Sequence, residues 1–202
     1  MIIDIKAYMG VIIFLGFSII GNIFFLKESK EKAVIGSEVK KLKWIGMINI
    51  VSFVMNFIFP PIIPTDEVTT LYMFLVPIFL TDIPFFVGYG IIMYLFGKKV
   101  VHEWGNYLKI AGLVGIVGNS FLFTSHIILL ITVGNPIVFY IIAMIFSTIG
   151  AFSWLSEYII IYVSGKKNKL RNHTISGFIL SLGFILYLLL EVILLSLVPV
   201  QF

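Results

Sequence analysis

Long apolar runs alternate with short polar intervals along the chain. Six runs are each close to or longer than the ~20 residues that an α-helix needs to cross a bilayer, at residues 7–26, 44–60, 71–97, 108–134, 136–164 and 175–199. The polar intervals are too short to form a separate soluble domain. The pattern predicts an all-α polytopic membrane protein, with residues 1–202 forming a single domain built as a six-helix transmembrane bundle.

The composition agrees with a membrane protein and removes several kinds of chemistry. Only 12% of the residues are charged and 60% are hydrophobic, whereas soluble domains carry about 25% charged residues. The chain has no cysteine. Disulfides, thiol redox chemistry and cysteine-ligated metal centres are therefore excluded.

Basic residues are concentrated in three of the polar intervals. Of the 14 lysines and arginines, all but Lys6 lie in the intervals 27–43, 98–109 and 165–174. Because loops rich in lysine and arginine stay in the cytoplasm, we predict that these three loops are cytoplasmic. Both termini then lie outside the cell membrane. The same residues suit anionic lipid headgroups, so the basic pI of 9.2 does not indicate nucleic-acid binding.

Two short motifs recur at similar distances. Leu-Lys-x-x-Gly at 42–46 returns at 108–112, and Tyr-x-x-Gly-Lys-Lys at 94–99 returns at 162–167. The offsets of 66 and 68 residues match one helical hairpin with its connection. They suggest parallel αα-hairpin repeats about an axis normal to the membrane. Chance is the alternative, since glycines within spans and lysines after them are common.

Small and polar residues follow one face of several spans. In lipid, helices associate through such residues, and a spacing of three or four places them on one side of a helix. These stripes are predicted to be packing seams. They comprise Asn49, Ser52 and Asn56 in the second span; Gly112, Gly115, Asn119 and His126 in the fourth; Ala143, Ser147, Gly150, Ser153 and Glu157 in the fifth; and Gly177, Ser181 and Glu191 in the sixth.

Ionisable residues at bilayer depth are the candidate functional residues. A charge there costs roughly 2.5–3.5 kcal/mol on insertion scales. At ~1.5 Å per residue, Asp82, His126 and Glu191 fall at similar depths in the outer half of the bundle. We expect these three to meet in a proton or cation site, or in a structural hydrogen-bond network. Glu157 lies seven residues from the inner end of its span and belongs to a different layer, where the nearest conventional partners are headgroup-level bases such as Lys109 or Arg171.

The third span has features of its own. Pro77 and Pro84 lack backbone donors, so the helix is predicted to be kinked, with carbonyl groups freed near Asp82. Tyr89 lies seven residues after Asp82 and shares its face. Such a helix is typical of a cation or proton site, and equally of a bend that fits neighbouring helices.

Several kinds of site do not fit. A haem held by two histidines lacks a second ligand, because His126 is the only histidine within a predicted span. The one lysine within a predicted span, Lys109, lies at the cytoplasmic end of that span and not at the depth of a retinal Schiff base. Ser120 and Ser125 are not aligned with His126 as a hydrolase would need. We therefore expect no cofactor, no metal and no enzyme. A divalent ion held by Asp82, His126 and Glu191 is the alternative.

Two functions remain. The first is a non-catalytic integral membrane subunit of a larger complex, respiratory or transport, with other membrane subunits or further copies of itself as partners. The second is a small proton- or cation-coupled transporter or channel. The sequence alone favours the subunit slightly, because its intramembrane polar content is sparse.

Overall fold

The computed structural model describes residues 5–31, 47, 51, 83, 86–100, 102–131 and 137–197. All regular secondary structure in these ranges is helical, which confirms the all-α class for this part of the chain. The elements are α1 (Ile5–Glu31), a π-helix (Phe86–Ile92), α2 (Met93–Lys99), α3 (Glu103–Ile131), α4 (Ile137–Lys167) and α5 (Arg171–Leu197).

Four predicted spans correspond to long helices, but the connections are shorter than predicted. Helix α3 begins at Glu103 and α5 at Arg171, whereas the apolar runs predicted starts at 108 and 175. The helices are longer because backbone hydrogen bonding continues beyond the end of an apolar run. An acidic residue in the first turn of α3 and lysines in the last turns of α2 and α4 suit the helix dipoles. The first connection lies between Lys99 and Glu103, and residues 168–170 make the second.

The turn between α4 and α5 contains a residue in the left-handed backbone conformation. Lys169 has a φ of 56°, and the amide of Leu170 donates to the carbonyl of Gly165 at 2.8 Å. This is the hydrogen bond of a Schellman cap, which usually places glycine where Lys169 stands. The cap reverses the chain within three residues.

Part of the prediction lies outside the described residues. The second span is described only at Met47 and Val51, and the predicted kink at Pro77 and Pro84 falls before the π-helix. The six-span count and the orientation of the termini stay predictions.

Length and composition support a membrane location. Three described stretches are long and apolar enough to cross a bilayer: Glu103–Ile131, Ile141–Lys167 and Arg171–Leu190. A shorter apolar stretch covers Gly16–Lys27 of α1. Large apolar side chains are exposed along α4, among them Ile141, Met144 and Phe152, as expected for a surface in contact with lipid.

Seven of the eleven described members of the predicted seams are buried, and His126, Ser147, Ser153 and Ser181 are partly buried. Helix α3 packs against α2 and α4, and α5 packs against α4 and α1. Gly112, Gly115, Asn119, Gly150 and Gly177 all lie in these interfaces. Small residues there allow close backbone approach, which supplies much of the packing energy in lipid.

The two described hairpins pack in the same way. Hairpin A is the π-helix with α2 and α3, and hairpin B is α4 with α5. A Cβ on Gly112 would lie 2.4 Å from the amide nitrogen of Tyr94, and one on Gly177 would lie 2.3 Å from that of Tyr162.

The second pair of contacts matches as well. A Cβ on Gly97 would lie 2.3 Å from the amide nitrogen of Lys109, and one on Gly165 would lie 2.3 Å from that of Thr174. We call the π-helix with α2, and α4, the first arms of the two hairpins, and α3 and α5 their second arms. Equivalent positions are 68 residues apart in the first arms and 65 in the second arms. The 68-residue offset indicated by the sequence is thus present in the packing of these two hairpins, whereas the 66-residue offset involves residues 42–46, outside the described residues, and stays a prediction.

Contacts between hairpins also repeat. Helix α3 brings Gly118 against Ser153 of α4, while α5 brings Gly183 against Phe17 of α1. Gly118 and Gly183 are equivalent at the offset of 65. Hairpin B therefore packs against α1 much as hairpin A packs against α4.

Candidate functional site

The predicted layer of Asp82, His126 and Glu191 is only partly described. Asp82 and Asn56 lie outside the described residues, and so does the side chain of Glu191, whose backbone belongs to α5. His126 is half-buried near the end of α3. The meeting of these three side chains stays a prediction.

Asn119 is buried and its side-chain amide is satisfied. The amide nitrogen donates to the carbonyl of Gly115 at 2.7 Å. The amide oxygen accepts from the indole of Trp154 on α4 at 3.0 Å. Asn119 is therefore an interhelical hydrogen-bond residue, as is usual for asparagine in membrane bundles.

A second interhelical hydrogen bond joins α1 to the π-helix. The hydroxyl of Tyr89 donates to Oδ1 of Asn22 at 2.7 Å, and Nδ2 of Asn22 donates to the carbonyl of Ser18 at 2.8 Å. All three residues are buried. Tyr89 thus faces the interior, and its partner lies on α1.

Glu157 is the buried acidic group of the described bundle. Its side chain is fully buried, and neither carboxyl oxygen has a hydrogen-bond partner among the described residues. The expected pairing with Lys109 or Arg171 is wrong. Both bases lie nearer the helix ends, and the carboxyl points into the bundle and not toward the headgroups.

Gly115 allows this carboxyl to approach the π-helix. A Cβ at Gly115 would lie 3.1 Å from Oε2 of Glu157 and 2.9 Å from the carbonyl oxygen of Tyr89. These two oxygens are therefore at most about 6 Å apart. The ring of Tyr158, next to Glu157, meets that of Tyr89 edge-on with centroids 6.1 Å apart.

Tyr89 and Glu157 occupy equivalent positions, and Asn22 lies one residue beyond the corresponding position of α1, which is Gly21. Asn22 precedes Tyr89 by 67 residues, and Tyr89 precedes Glu157 by 68, the offset that relates the first arms of the hairpins. The three residues form the central polar layer, in which α1, the π-helix and α4 each contribute one side chain.

An apolar layer follows on the side of the basic helix ends. Phe25, Met93 and Ile161 come three or four residues after the members of the central polar layer, and each is at most 1% exposed. They form the apolar layer. It separates the central polar layer from the end of the bundle that carries Lys27, Lys99 and Lys167.

The arrangement suits a proton or a single small cation. An isolated buried carboxylate is too costly unless a proton, a cation or hydrogen bonds compensate it. Oxygen atoms of Glu157 and Tyr89 supply hard ligands of the kind that alkali and proton sites use. Among the residues that the structure describes, no three histidine, aspartate or glutamate side chains are grouped to hold a metal ion.

Sequence reasoning missed Ser18 and Asn22 and gave Glu157 a secondary place. A usable signal was present, because Ser18 and Asn22 lie four residues apart and therefore share one face of the first span. Depth matching pointed instead to residues at the other end of the helices.

Comparison with protein-family models, curated proteins and solved structures finds no match to this chain. Its function is therefore inferred from the geometry of its own residues.

Proposed function

We propose that the protein is a small membrane transporter or channel that moves a proton or a small monovalent cation, with Glu157 as the ion-binding carboxyl. One observation carries this proposal: Glu157 is fully buried and both its carboxyl oxygens lack hydrogen-bond partners among the described residues. A residue kept only for packing would gain nothing from such a group, since ionisable side chains inside membranes are costly.

The surroundings of Glu157 support an ion-binding role. The carbonyl oxygen of Tyr89 lies nearby in a π-helix, an element that is common at functional sites. Polar side chains from α1 and the π-helix share its layer. The subunit hypothesis assigns no role to an unpartnered carboxyl, and the apolar outer surface of α4 suits lipid as well as a partner.

The test is ion flux into liposomes that contain the purified protein and a pH-sensitive dye. Wild type should acidify the lumen under an imposed membrane potential, and Glu157→Gln should abolish this flux. Glu103→Gln is the matched control, since Glu103 is an exposed carboxyl paired with Lys167 at 2.9 Å. That variant should behave as wild type.

Two further measurements determine which ion moves and whether the protein is instead a subunit of a larger complex. Flux that requires sodium in the buffer would assign a sodium ion and not a proton. No flux from the wild-type protein, together with stable co-purification of other membrane proteins, would favour the subunit and contradict the proposal.

A further inference from the structure

Three polar residues lie between the apolar layer and the basic end of the bundle. Ser164 on α4 and His173 and Ser176 on α5 are each fully buried. Gly165 packs against Thr174, and Gly177 packs against Tyr162, so residues 164 and 176 both lie between these two contacts along the hairpin. We call Ser164, His173 and Ser176 the basic-end cluster.

The two serines of this cluster differ from most hydroxyl residues of the bundle. Ser120, Thr124, Thr148, Ser153 and Ser156 each donate to the carbonyl four residues earlier at 2.8–2.9 Å, the usual solution for a hydroxyl in a helix. The hydroxyls of Ser164 and Ser176 have no partner among the described residues. A buried unsatisfied hydroxyl costs about 1–3 kcal/mol unless water supplies the missing bond.

The other hairpin shows that packing does not require these polar groups. At the repeat offsets, Ser176 corresponds to Ala111, His173 to Leu108 and Ser164 to Phe96. Ala111 and Leu108 are fully buried in hairpin A, at the same glycine-mediated contacts. The same backbone arrangement is thus built with apolar side chains in one hairpin and with polar ones in the other.

Two aromatic rings pack against His173: Phe25 of the apolar layer and Trp104 in the first turn of α3. The ring of His173 stacks on Phe25 with centroids 4.9 Å apart. Trp104 meets His173 edge-on with centroids 5.5 Å apart. Helices α1, α3 and α5 are thereby joined at one point, on the opposite side of the apolar layer from Glu157.

We infer that the basic-end cluster holds water and forms the chamber from which a proton or cation reaches Glu157 across the apolar layer. The route to Glu157 rests on the proposed function, but the hydration of the cluster does not. Glu157 lies seven residues from Ser164 on α4, about 10 Å along the helix. Ile161, Met93 and Phe25 fill the interval, so the apolar layer acts as the gate between the chamber and the carboxyl.

Cysteine labelling tests the hydration of the cluster directly, since the chain has no native cysteine. Ser164→Cys and Ser176→Cys, in membranes, are treated with a small cationic methanethiosulfonate reagent. Thiolate forms in water and not in a dry apolar core. Both variants should therefore react at least about tenfold faster than Ala111→Cys, the matched control at the equivalent position of hairpin A.

Stability provides a second measurement that needs no cysteine. If water bonds the two hydroxyls, Ser164→Ala and Ser176→Ala lose those bonds and the Tm falls. If the sites are dry, the same changes remove an unsatisfied group and the Tm rises. Labelling no faster than that of Ala111→Cys, or a rise in Tm for both alanine variants, overturns the inference.

The results separate this inference from the proposed function. Fast labelling at 164 and 176 with no ion flux would keep the hydrated chamber and reject Glu157 as a transport residue. Flux that depends on Glu157 with slow labelling would keep the proposed function and reject this chamber. Replacing His173 and Ser176 by their hairpin A counterparts, His173→Leu with Ser176→Ala, should lower the flux at least about tenfold, in proportion to the lost hydration.

Discussion

The hydroxyl of Tyr89 donates a 2.7 Å hydrogen bond to the side-chain amide oxygen of Asn22, 67 residues earlier in the chain. The bond links α1 to the π-helix beside Glu157. It is buried on both sides, so water does not compete with it. A direct contact between α1 and the π-helix therefore holds the central polar layer together.

This hydrogen bond should have a measurable coupling energy. Tyr89→Phe, Asn22→Leu and the double variant form a cycle in which the interaction term is expected at about 0.5–1.5 kcal/mol. Denaturant unfolding in detergent micelles measures it. A coupling indistinguishable from zero would mean that the two groups do not bond in the folded protein.

The repeated glycine contacts should tolerate no side chain. Gly112→Ala and Gly177→Ala place a methyl group against the backbones of Tyr94 and Tyr162, so each should destabilise the fold by about 1–3 kcal/mol or more. Gly16→Ala is the control, because a Cβ there meets nothing within 4 Å among the described residues. It should be neutral or stabilising by up to about 1 kcal/mol. Equal effects at all three positions would contradict the packing.

The turn between α4 and α5 offers a stabilising change. Lys169 adopts a left-handed conformation, which costs an L-residue roughly 1–2 kcal/mol. Lys169→Gly should relieve part of that cost and raise the Tm, whereas Lys169→Val should lower it. A lower Tm for the glycine variant would show that the lysine side chain contributes more than its backbone costs.

The ion pair between Lys167 and Glu103 should contribute little. Both side chains are more than half exposed although their charged atoms lie 2.9 Å apart. Surface pairs of this kind are typically worth 0–1 kcal/mol. Glu103→Gln should therefore change unfolding free energy by less than about 1 kcal/mol, and a larger loss in thermal unfolding would point to a further role for this carboxyl.

The orientation in the membrane can be tested in the cysteine-free background. Single cysteines at Lys30, Tyr107 and Asn168 lie in or beside the three basic intervals. They should react with an impermeant reagent in inside-out vesicles and not in intact cells, because lysine-rich loops stay in the cytoplasm. Labelling of position 30 from outside would reverse the predicted topology.

The sequence by itself determined the class of the protein and the faces of its helices. Apolar runs of spanning length predicted helices, and spacing of three or four marked the seams around Gly112, Gly115 and Gly177 that the structure buries. The motif at 94–99 and 162–167 already contained one glycine contact of each hairpin. These features are local, since one helix turn sets which residues share a face.

Which faces meet was decided by the tertiary structure alone. Periodicity does not say which helix lies opposite Glu157, and depth counting placed it with Lys109 and Arg171. The structure places it beside Gly115 and Tyr89, because Gly118 packs against Ser153 and Gly150 packs against Leu122, where a Cβ on either glycine would lie only 2.3–2.4 Å from its neighbour. These contacts fix the register between α3 and α4. That register brings Asn22, Tyr89 and Glu157, which are 67 and 68 residues apart, into one layer. The constraint is long-range, so no pattern within a single helix contains it.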